Sequence, residues 1–310
     1  MTHEGGNADA VRAWIRESPF TRDLGVTLEE LDGSSARLSL PYEEHLRAFG
    51  SLHGGVVASL ASISSHAILR AEASPDDTPP RTLSLHVLYA RAARGPSFTT
   101  ETRLVRRARE LGFFETRITD ASGEAIASAT ATLATDAAPP SPPGLVERGG
   151  RPLGGEQRWG RDPASRPPPP NANAAFFDAA IATLPFLARR SLRIAALARG
   201  QLDMIMAPIE ENLDRDGTIH EGAALTLIDA AGANGPWTIV APSEGAGGAT
   251  IALHAQILCR LPARGLLAHA RVRAYDARVH TCDVQIFDAE NRQLHALGTV
   301  IYRMTAKAPR

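Results

Sequence analysis

Polar and apolar residues alternate in short runs over much of the chain, and two longer apolar runs interrupt the alternation. Alternating runs predict half-buried strands, while uninterrupted runs of small apolar residues predict buried helices. The same order of elements is predicted twice: a short helix, a hairpin, a long helix and four further strands. We therefore predict an α+β fold in which an antiparallel sheet wraps one long helix in each copy.

The predicted elements can be given as bounds for each copy. The first copy has helix 8–17, strands 24–31 and 35–41, helix 54–71, and strands 82–91, 97–107, 111–120 and 124–134. The second copy has helix 174–188, strands 192–198 and 201–207, helix 221–234, and strands 250–260, 266–275, 279–288 and 293–303. Turn residues at 32–33, 121–123, 200 and 289–291 separate the paired strands.

Residue types repeat between the copies at a fixed offset. Shifting the sequence by 167 residues aligns Gly33 with Gly200, Pro41 with Pro208, Gly50 with Gly217, His53 with His220, Gly55 with Gly222 and Leu60 with Leu227. An internal repeat of this kind predicts a duplicated chain, with one domain at 1–135 and another at 174–310. The segment 136–173, rich in Pro and Gly, is predicted to be a linker, either a disordered spacer or an extended crossover packed along both halves.

Composition narrows the class of protein. Apolar residues make up 44% of the 310 residues, and the formal net charge of −1 gives no field that favours nucleic acid or an anionic membrane. No run approaches the roughly 20 apolar residues of a spanning helix. The first residues, MTHEGGNADA, do not read as a signal peptide, and Cys259 and Cys282 form no metal or disulfide pattern. We expect a cytoplasmic protein with inert core cysteines, no metal and no cofactor.

Two stretches carry the candidate chemistry. Residues 47–62 read RAFGSLHGGVVASLAS, and residues 214–229 read DRDGTIHEGAALTLID. They are similar to the signature of the phenylacetate-pathway-type acyl-CoA thioesterases, N-x-x-G-x-x-H-G-G followed by six residues and Asp. The strands TLSLHVLYARAARG and TIALHAQILCRLPARG resemble the family's strand that ends in an R-P-A-R-G-like turn. The resemblance implies a hotdog fold in each half, and so a double hotdog that forms a pseudo-dimer within one chain.

Thioester hydrolysis needs a donor for the carbonyl oxygen and a carboxylate that attacks the carbonyl or activates water. A helix beginning at Gly54 and Gly55 offers unpaired N–H groups and a positive dipole end. Asp229 offers a carboxylate, but it lies nine residues after His220, about 13 Å along its own helix. An antiparallel partner helix would bring Asp229 to Gly54, in agreement with the site between two protomers that the resemblance implies.

The second pairing of the two stretches has different residue types. It joins Glu221 and Gly222, beside His220, to Ser62. Serine lacks the charge needed for attack or base catalysis, and the Glu221 side chain stands where the first glycine would be. We therefore expect one working site and one vestigial site in each chain.

Further residues are assigned candidate roles. His53 is expected to order the turn by hydrogen bonding. The resemblance gives Thr250 the place of a hydroxyl that assists the acid or its water, the alternative being a strand-forming residue, and Asn234 is a candidate to hold the acyl group. The family's Asn, six residues before the His, is Arg47 here and Asp214 in the second copy. Arg47 is expected to bind substrate, to pair with Asp229 and keep it ionised, or to mark weakened catalysis.

The resemblance implies acyl-CoA as the substrate and leaves the acyl group open. Arginines near strand ends are candidates for the CoA phosphates, namely Arg91, Arg94, Arg260 and Arg264. A homodimer of double hotdogs is a further arrangement that the sequence leaves open.

Three alternatives to a thioesterase remain. The first is a double hotdog that binds acyl-CoA without cleaving it, which Arg47 favours and Asp229 opposes. The second is a hotdog hydratase or dehydratase, which pairs an acidic residue with a histidine. Because no Asp precedes His66 at the corresponding position, we expect no such pair. The third is a scaffold without a ligand, and the glycines beside Asp229 argue against it.

Overall fold

The computed structural model describes residues 6–73, 78–135, 167–241 and 247–305. The first half contains α1 (Gly6–Glu17), α2 (Pro19–Leu24), β1 (Thr27–Leu31), β2 (Ser35–Pro41), β3 (Arg47–Ala48), β4 (Ser51–Leu52), α3 (Gly54–Glu72), β5 (Arg81–Tyr89), β6 (Ser97–Ala108), β7 (Leu111–Asp120) and β8 (Ala125–Ala134). The second half contains α4 (Ala174–Ala182), α5 (Pro185–Ala188), β9 (Leu192–Ala198), β10 (Gln201–Met206), α6 (Glu221–Asn234), β11 (Gly247–Ile257), β12 (Leu266–Tyr275), β13 (Val279–Asp288) and β14 (Leu294–Thr305).

Twelve strands form one sheet in the order β1-β2-β6-β7-β8-β5-β11-β14-β13-β12-β10-β9. The order of strands is mirrored about the central pair, β5 and β11, which run antiparallel. His86 on β5 lies opposite His254 on β11, and these two residues are 168 apart in the sequence. Each half of the sheet is therefore built in the same way, and the halves are continuous through β5 and β11.

The two long helices, α3 and α6, are buried along most of their length. Small residues let them approach closely and run antiparallel. The Ser59 hydroxyl on α3 donates a hydrogen bond of 3.0 Å to the carbonyl oxygen of Gly222 on α6. A Cβ atom on Gly55 would stand 2.8 Å from the Cα of Thr226. Because both helices are buried on every side and not along a single stripe, they depend on this pair of sheet halves.

Most predicted elements have bounds close to the observed ones, and α6 coincides with the prediction. The predicted strand 24–31 was wrong at its start, because residues Pro19–Leu24 form a helix that ends at Gly25 with φ of 74°. The predicted helix 174–188 is two helices, since Pro185 begins α5 and cannot continue α4. Strand β11 is shifted, beginning at Gly247 and ending at Ile257.

A buried arginine joins the two halves beside these short helices. Arg190 is fully buried, and its guanidinium lies 5.2 Å from the ring centre of Phe20 and 4.9 Å from that of Phe186. Asp23, from the first half, forms ion pairs with Arg190 and with Arg189. The charge of Arg190 is thus balanced across the junction, although burial lowers its pKa to about 10.

Most of the predicted linker, residues 136–166, lies outside the described residues. The described part resumes at residue 167, and Asn173 caps α4 by accepting a hydrogen bond from the backbone N–H of Phe176. Among the described helices, none has the length and apolar character needed to cross a membrane.

Candidate active site

The carboxylate of Asp229 lies in the middle of α6 and is almost wholly buried. The Thr250 hydroxyl, on β11, donates a hydrogen bond of 2.6 Å to its Oδ1 atom. Its Oδ2 atom faces the start of α3, 2.7 Å from the position that a Cβ atom on Gly54 would occupy. One carboxylate oxygen is therefore held by the sheet, while the other points at a helix N-terminus from the other half.

The first two residues of α3 differ in what their amides do. Within the described residues, the N–H of Gly54 has no acceptor, as expected for the first turn of a helix. The N–H of Gly55 donates to Nδ1 of His53 over 2.9 Å. Gly54 lines the cavity beside Asp229, whereas Gly55 packs against Thr226 of α6. The structure thus leaves one amide, that of Gly54, to face a ligand.

His53 is neutral in this arrangement. Because its Nδ1 accepts a hydrogen bond from Gly55, its proton is on Nε2. Burial lowers the pKa of His53, although nearby Asp229 acts in the opposite direction. The distance of 3.4 Å between His53 Nδ1 and Asp229 Oδ2 therefore joins two acceptors and is not an ion pair. His53 caps the helix, as the sequence predicts, and it also lines the cavity.

Two tyrosines that the sequence analysis did not select flank the same carboxylate. The Tyr89 hydroxyl, on β5, donates a hydrogen bond of 3.0 Å to the carbonyl oxygen of Gly54. Burial, together with the nearby Asp229 charge, raises the pKa of both Tyr89 and Tyr302. Both side chains line the cavity in the protonated form. Tyr89 stands in the quoted strand TLSLHVLYARAARG, but its direction toward α3 is a feature of the folded strand.

A cavity of about 710 Å³ opens beside Asp229 and Gly54. Its size falls in the range of pockets that hold small ligands. One wall is apolar and is formed by Phe176, Ala180, Ile181, Leu184, Leu187 and Trp237. Asn234 also lines the cavity, and its side-chain amide donates a hydrogen bond of 2.7 Å to the carbonyl oxygen of Ala230.

Arg47 does not take the position expected from the sequence. Its guanidinium stacks 4.5 Å from the ring centre of Tyr42, and it does not line the cavity. Among the described residues, no ion pair joins Arg47 to Asp229. Arg47 therefore does not pair with Asp229, because β3 directs the side chain onto Tyr42; that Arg47 binds substrate stays a prediction.

The second pairing, of Glu221 and Gly222 with Ser62, forms a packed polar cluster. Ser62 is buried, and the Glu221 carboxylate turns toward α3 and β5. Glu221 Oε2 lies 3.1 Å from Nε2 of His66, and its Oε1 accepts a hydrogen bond of 3.2 Å from the N–H of Thr82. Burial acts to raise the pKa of Glu221, but His66 and the hydrogen bonds from His66 and Thr82 outweigh it and lower the pKa. An acid–histidine pair does exist, so the expectation that His66 lacks one was wrong.

The N-terminal helix fills the remaining space at this second site. The indole of Trp14 stacks on His220 with 6.2 Å between ring centres, and Arg70 lies 4.1 Å from the indole centre. The indole Nε1 of Trp14 donates a hydrogen bond of 2.9 Å to Oδ1 of Asp214, the residue at the family's Asn position. The cavity left beside Ser62 is only about 70 Å³. His220 caps α6 by accepting from the N–H of Gly222, and burial lowers its pKa to about 4.

The candidate arginines are separated by the fold. Arg91 lines the large cavity near its exposed edge, together with Arg303, which the sequence analysis did not select. Arg260 forms an ion pair with Asp216 beside the second site, and Arg264 forms ion pairs elsewhere on the surface. Arg94 does not line the large cavity. Of the four candidates, the structure brings only Arg91 to the cavity of Asp229.

Comparison with solved structures defines the class of fold. A protein of unknown function with the hotdog fold, from Alicyclobacillus acidocaldarius, has a TM-score of 0.60 at 16% identity, covering 95% of this chain and 98% of that chain. An acyl-CoA thioesterase II from Mycobacterium marinum has a TM-score of 0.60 at 17% identity, covering 95% of this chain and 99% of that chain. At such identities the likeness establishes the fold alone, and the fold is the hotdog fold.

Sequence comparison gives the family. The model of the thioesterase superfamily matches residues 49–127, which include the His53 stretch and β5 to β7. A medium/long-chain acyl-CoA thioesterase of Escherichia coli is 30% identical over 134 residues, a match that covers 38% of this chain and 86% of that protein. The chain belongs to the thioesterase superfamily.

Proposed function

We propose that this protein is an acyl-CoA thioesterase, a double hotdog of the phenylacetate-pathway type with one working site in each chain. One observation carries the proposal: inside an open cavity, the Asp229 carboxylate of one half lies beside Gly54 of the other half, whose amide has no acceptor among the described residues. The domains would be 1–135 and 174–310, joined by the linker 136–173. The mirrored strand order and the repeated helix caps at His53 and His220 support this division.

The site suits the hydrolysis of a thioester. The carbonyl oxygen would accept a hydrogen bond from the Gly54 N–H, at the positive end of the α3 dipole. Thr250 holds Oδ1 of Asp229 and Oδ2 lies beside Gly54, so Oδ2 would face the reacting carbon. Either Asp229 takes a proton from water as the water adds to the carbonyl, or Asp229 itself attacks and expels the thiolate, giving a mixed anhydride that water then hydrolyses to the free acid and the Asp229 carboxylate. In the first route the C–S bond then breaks, and the departing thiolate takes the proton from Asp229.

Coenzyme A is the thiol carrier that the site favours. Arg303 and Arg91 stand at the exposed edge of the cavity, where phosphates would meet guanidinium groups, although that of Arg91 already pairs with Asp120. The Escherichia coli relative is named for medium- and long-chain acyl-CoA, and the apolar wall of this cavity suits such acyl groups. The binding-only alternative rests on Arg47 in place of the family's Asn, and the Asp229 carboxylate held beside Gly54 argues against it.

A hydratase is the second candidate function, because His66 and Glu221 form an acid–histidine pair. The free space beside that pair is about 70 Å³, a tenth of the volume beside Asp229. Trp14 and Arg70 close the space, so an acyl-CoA would have to displace a buried indole. The thioesterase proposal needs no such rearrangement and is therefore preferred.

The proposal is tested with a panel of acyl-CoA thioesters, from short to long and aromatic chains, with free thiol as the readout. Wild type should release thiol, and Gly54→Ala should lose at least about 100-fold in kcat/KM because its Cβ displaces the Asp229 carboxylate. Gly33→Ala is the matched control, since its Cβ meets no atom within 4 Å. Tight binding of a non-hydrolysable acyl-CoA thioether without any turnover would instead establish a binding protein. Hydration of an enoyl-CoA that is lost in His66→Gln would establish the hydratase.

A further inference from the structure

The short N-terminal helices of the two halves occupy equivalent places. Pro19 begins α2 and Pro185 begins α5, 166 residues apart. The next residue in each case is a phenylalanine that packs against a capping histidine. The ring centres of Phe20 and His220 are 4.7 Å apart, and those of Phe186 and His53 are 5.3 Å apart. In this region, therefore, residues that differ by 166 in number correspond in space.

This correspondence matches Trp14 on α1 with Ala180 on α4. Trp14 is 2% exposed and is held by Asp214, Arg70 and His220, so its indole is a fixed part of the second site. Ala180 is half-buried and lines the open cavity. One site retains about 70 Å³ and the other about 710 Å³. Exchange of an indole for a methyl group at one position contributes directly to that difference.

We propose that Ala180 is a specificity-determining position, and that the space beside its methyl group receives the chain of a medium- or long-chain acyl thioester. The inference rests on the proposed thioesterase function. Ile181, Leu184 and Trp237 continue the apolar wall around Ala180. Each methylene buried against such a wall raises affinity about fourfold. The length of the acyl chain is therefore selected at Ala180. The thiol carrier would bind at the exposed edge of the cavity, beside Arg91 and Arg303.

The test compares Ala180→Trp with Ala179→Trp, which places the same side chain on an exposed position of the same helix. Hydrolysis of dodecanoyl-CoA by Ala180→Trp should fall at least about 30-fold in kcat/KM, while hydrolysis of butanoyl-CoA should fall less than about threefold. Ala179→Trp should match wild type with both substrates. Ala180→Leu should show an intermediate loss with dodecanoyl-CoA, which keeps the test decisive if the tryptophan variant does not fold.

Equal losses with both substrates, or no loss in Ala180→Trp and Ala180→Leu, would overturn the inference while leaving the thioesterase function intact. Binding of the thioether S-dodecyl-CoA, measured by calorimetry, separates the two proposals. If wild type binds the thioether but hydrolyses no thioester, the proposed function fails. In that case weakened binding in the Ala180 variants, with unchanged binding in Ala179→Trp, would still support the acyl-chain assignment, and unchanged binding in all of them would overturn it.

Discussion

Oδ2 of Asp229, halfway along α6, lies 2.7 Å from the point where a Cβ atom on Gly54, the first residue of α3, would stand. Any side chain at residue 54 would displace the carboxylate. The contact exists because α3 and α6 run antiparallel and approach closely at Gly55 and Gly222. Each half of the chain thus supplies one of the two groups that thioester hydrolysis requires.

The hydrogen bond between Thr250 and Asp229 should matter to turnover. Thr250→Val keeps the shape of the side chain and leaves Oδ1 without its donor. A hydrogen bond to a charged group contributes about 1.5–3 kcal/mol, so kcat should fall about 10-fold or more while KM changes little. Thr82→Val, at the equivalent position of the closed site, is the matched control and should leave kcat unchanged. An equal effect of the two variants on kcat would contradict the assignment of Thr250 to the working site.

Tyr89 should act as a positioning residue. Its hydroxyl holds the carbonyl oxygen of Gly54, so Tyr89→Phe should loosen the first turn of α3. We expect kcat to fall about threefold to tenfold and the free energy of unfolding to fall by about 1 kcal/mol. Tyr42→Phe removes a buried hydroxyl that has no partner among the described residues and should cost nothing. Steady-state kinetics and urea unfolding check both variants. A large effect of Tyr42→Phe on kcat would argue against a positioning role that is specific to the Tyr89 hydroxyl.

The buried pair of Asp23 and Arg190 should hold the two halves together. Removing the charge in Asp23→Asn leaves Arg190 buried between two phenylalanine rings without its counter-ion. Such a loss typically costs about 3–5 kcal/mol of unfolding free energy. Arg189→Gln removes a half-exposed partner of the same carboxylate and should cost about 1 kcal/mol or less. Urea denaturation measures both, and equal small effects would show that the junction does not depend on Arg190.

Stability should fall on acidification below neutral pH. Burial lowers the pKa of His220 to about 4, so between about pH 6.5 and pH 4 the unfolded chain binds a proton that the folded chain does not. The difference corresponds to about 3 kcal/mol, fully present above pH 6.5 and lost toward pH 4. The lowered pKa of Asp214, about 2, acts only at still lower pH, since its contribution is lost below its ordinary value of 3.8.

The contribution of His220 can be separated from that of the other buried histidines. His220→Asn keeps a side-chain acceptor for the N–H of Gly222 and removes the titrating group. The variant should show a smaller loss of unfolding free energy between pH 7 and pH 5 than wild type, whatever its absolute stability. Equal pH slopes for the two proteins would contradict the role of His220.

Local patterns in the sequence predicted the features that depend on neighbouring residues. The bounds of α6, the capping role of His53 and the need for a partner helix to bring Asp229 to Gly54 all follow from spacing along one or two elements. The split between α4 and α5 was missed although Pro185 signalled it. The positions of Arg47 and Tyr89 were not predictable in the same way, because each depends on which neighbour a strand residue faces after folding.

The closed state of the second site was only partly predictable. The sequence indicated that Ser62 lacks a charge, but it did not indicate that Glu221 would bind His66 and Thr82. Nor did it indicate that Trp14 would fill the space that Ala180 leaves open in the other half. Both depend on residues far apart in the sequence that meet only in the folded chain. The offset of 166 that relates Trp14 to Ala180 is evident once the rings of Phe20 and Phe186 are seen against His220 and His53.

The most direct test of one working site in each chain is hydrolysis of dodecanoyl-CoA by wild type, Asp229→Asn and Ser62→Ala, measured side by side as free thiol released. Removing Asp229 should lower kcat at least about 1000-fold, as loss of an essential acid–base or nucleophilic group does. Ser62→Ala should keep wild-type turnover, because the cavity beside Ser62 is only about 70 Å³ and the carboxylate there, Glu221, is engaged by His66 and Thr82. Full activity in Asp229→Asn, or loss of activity in Ser62→Ala with an unchanged unfolding midpoint, would contradict the account.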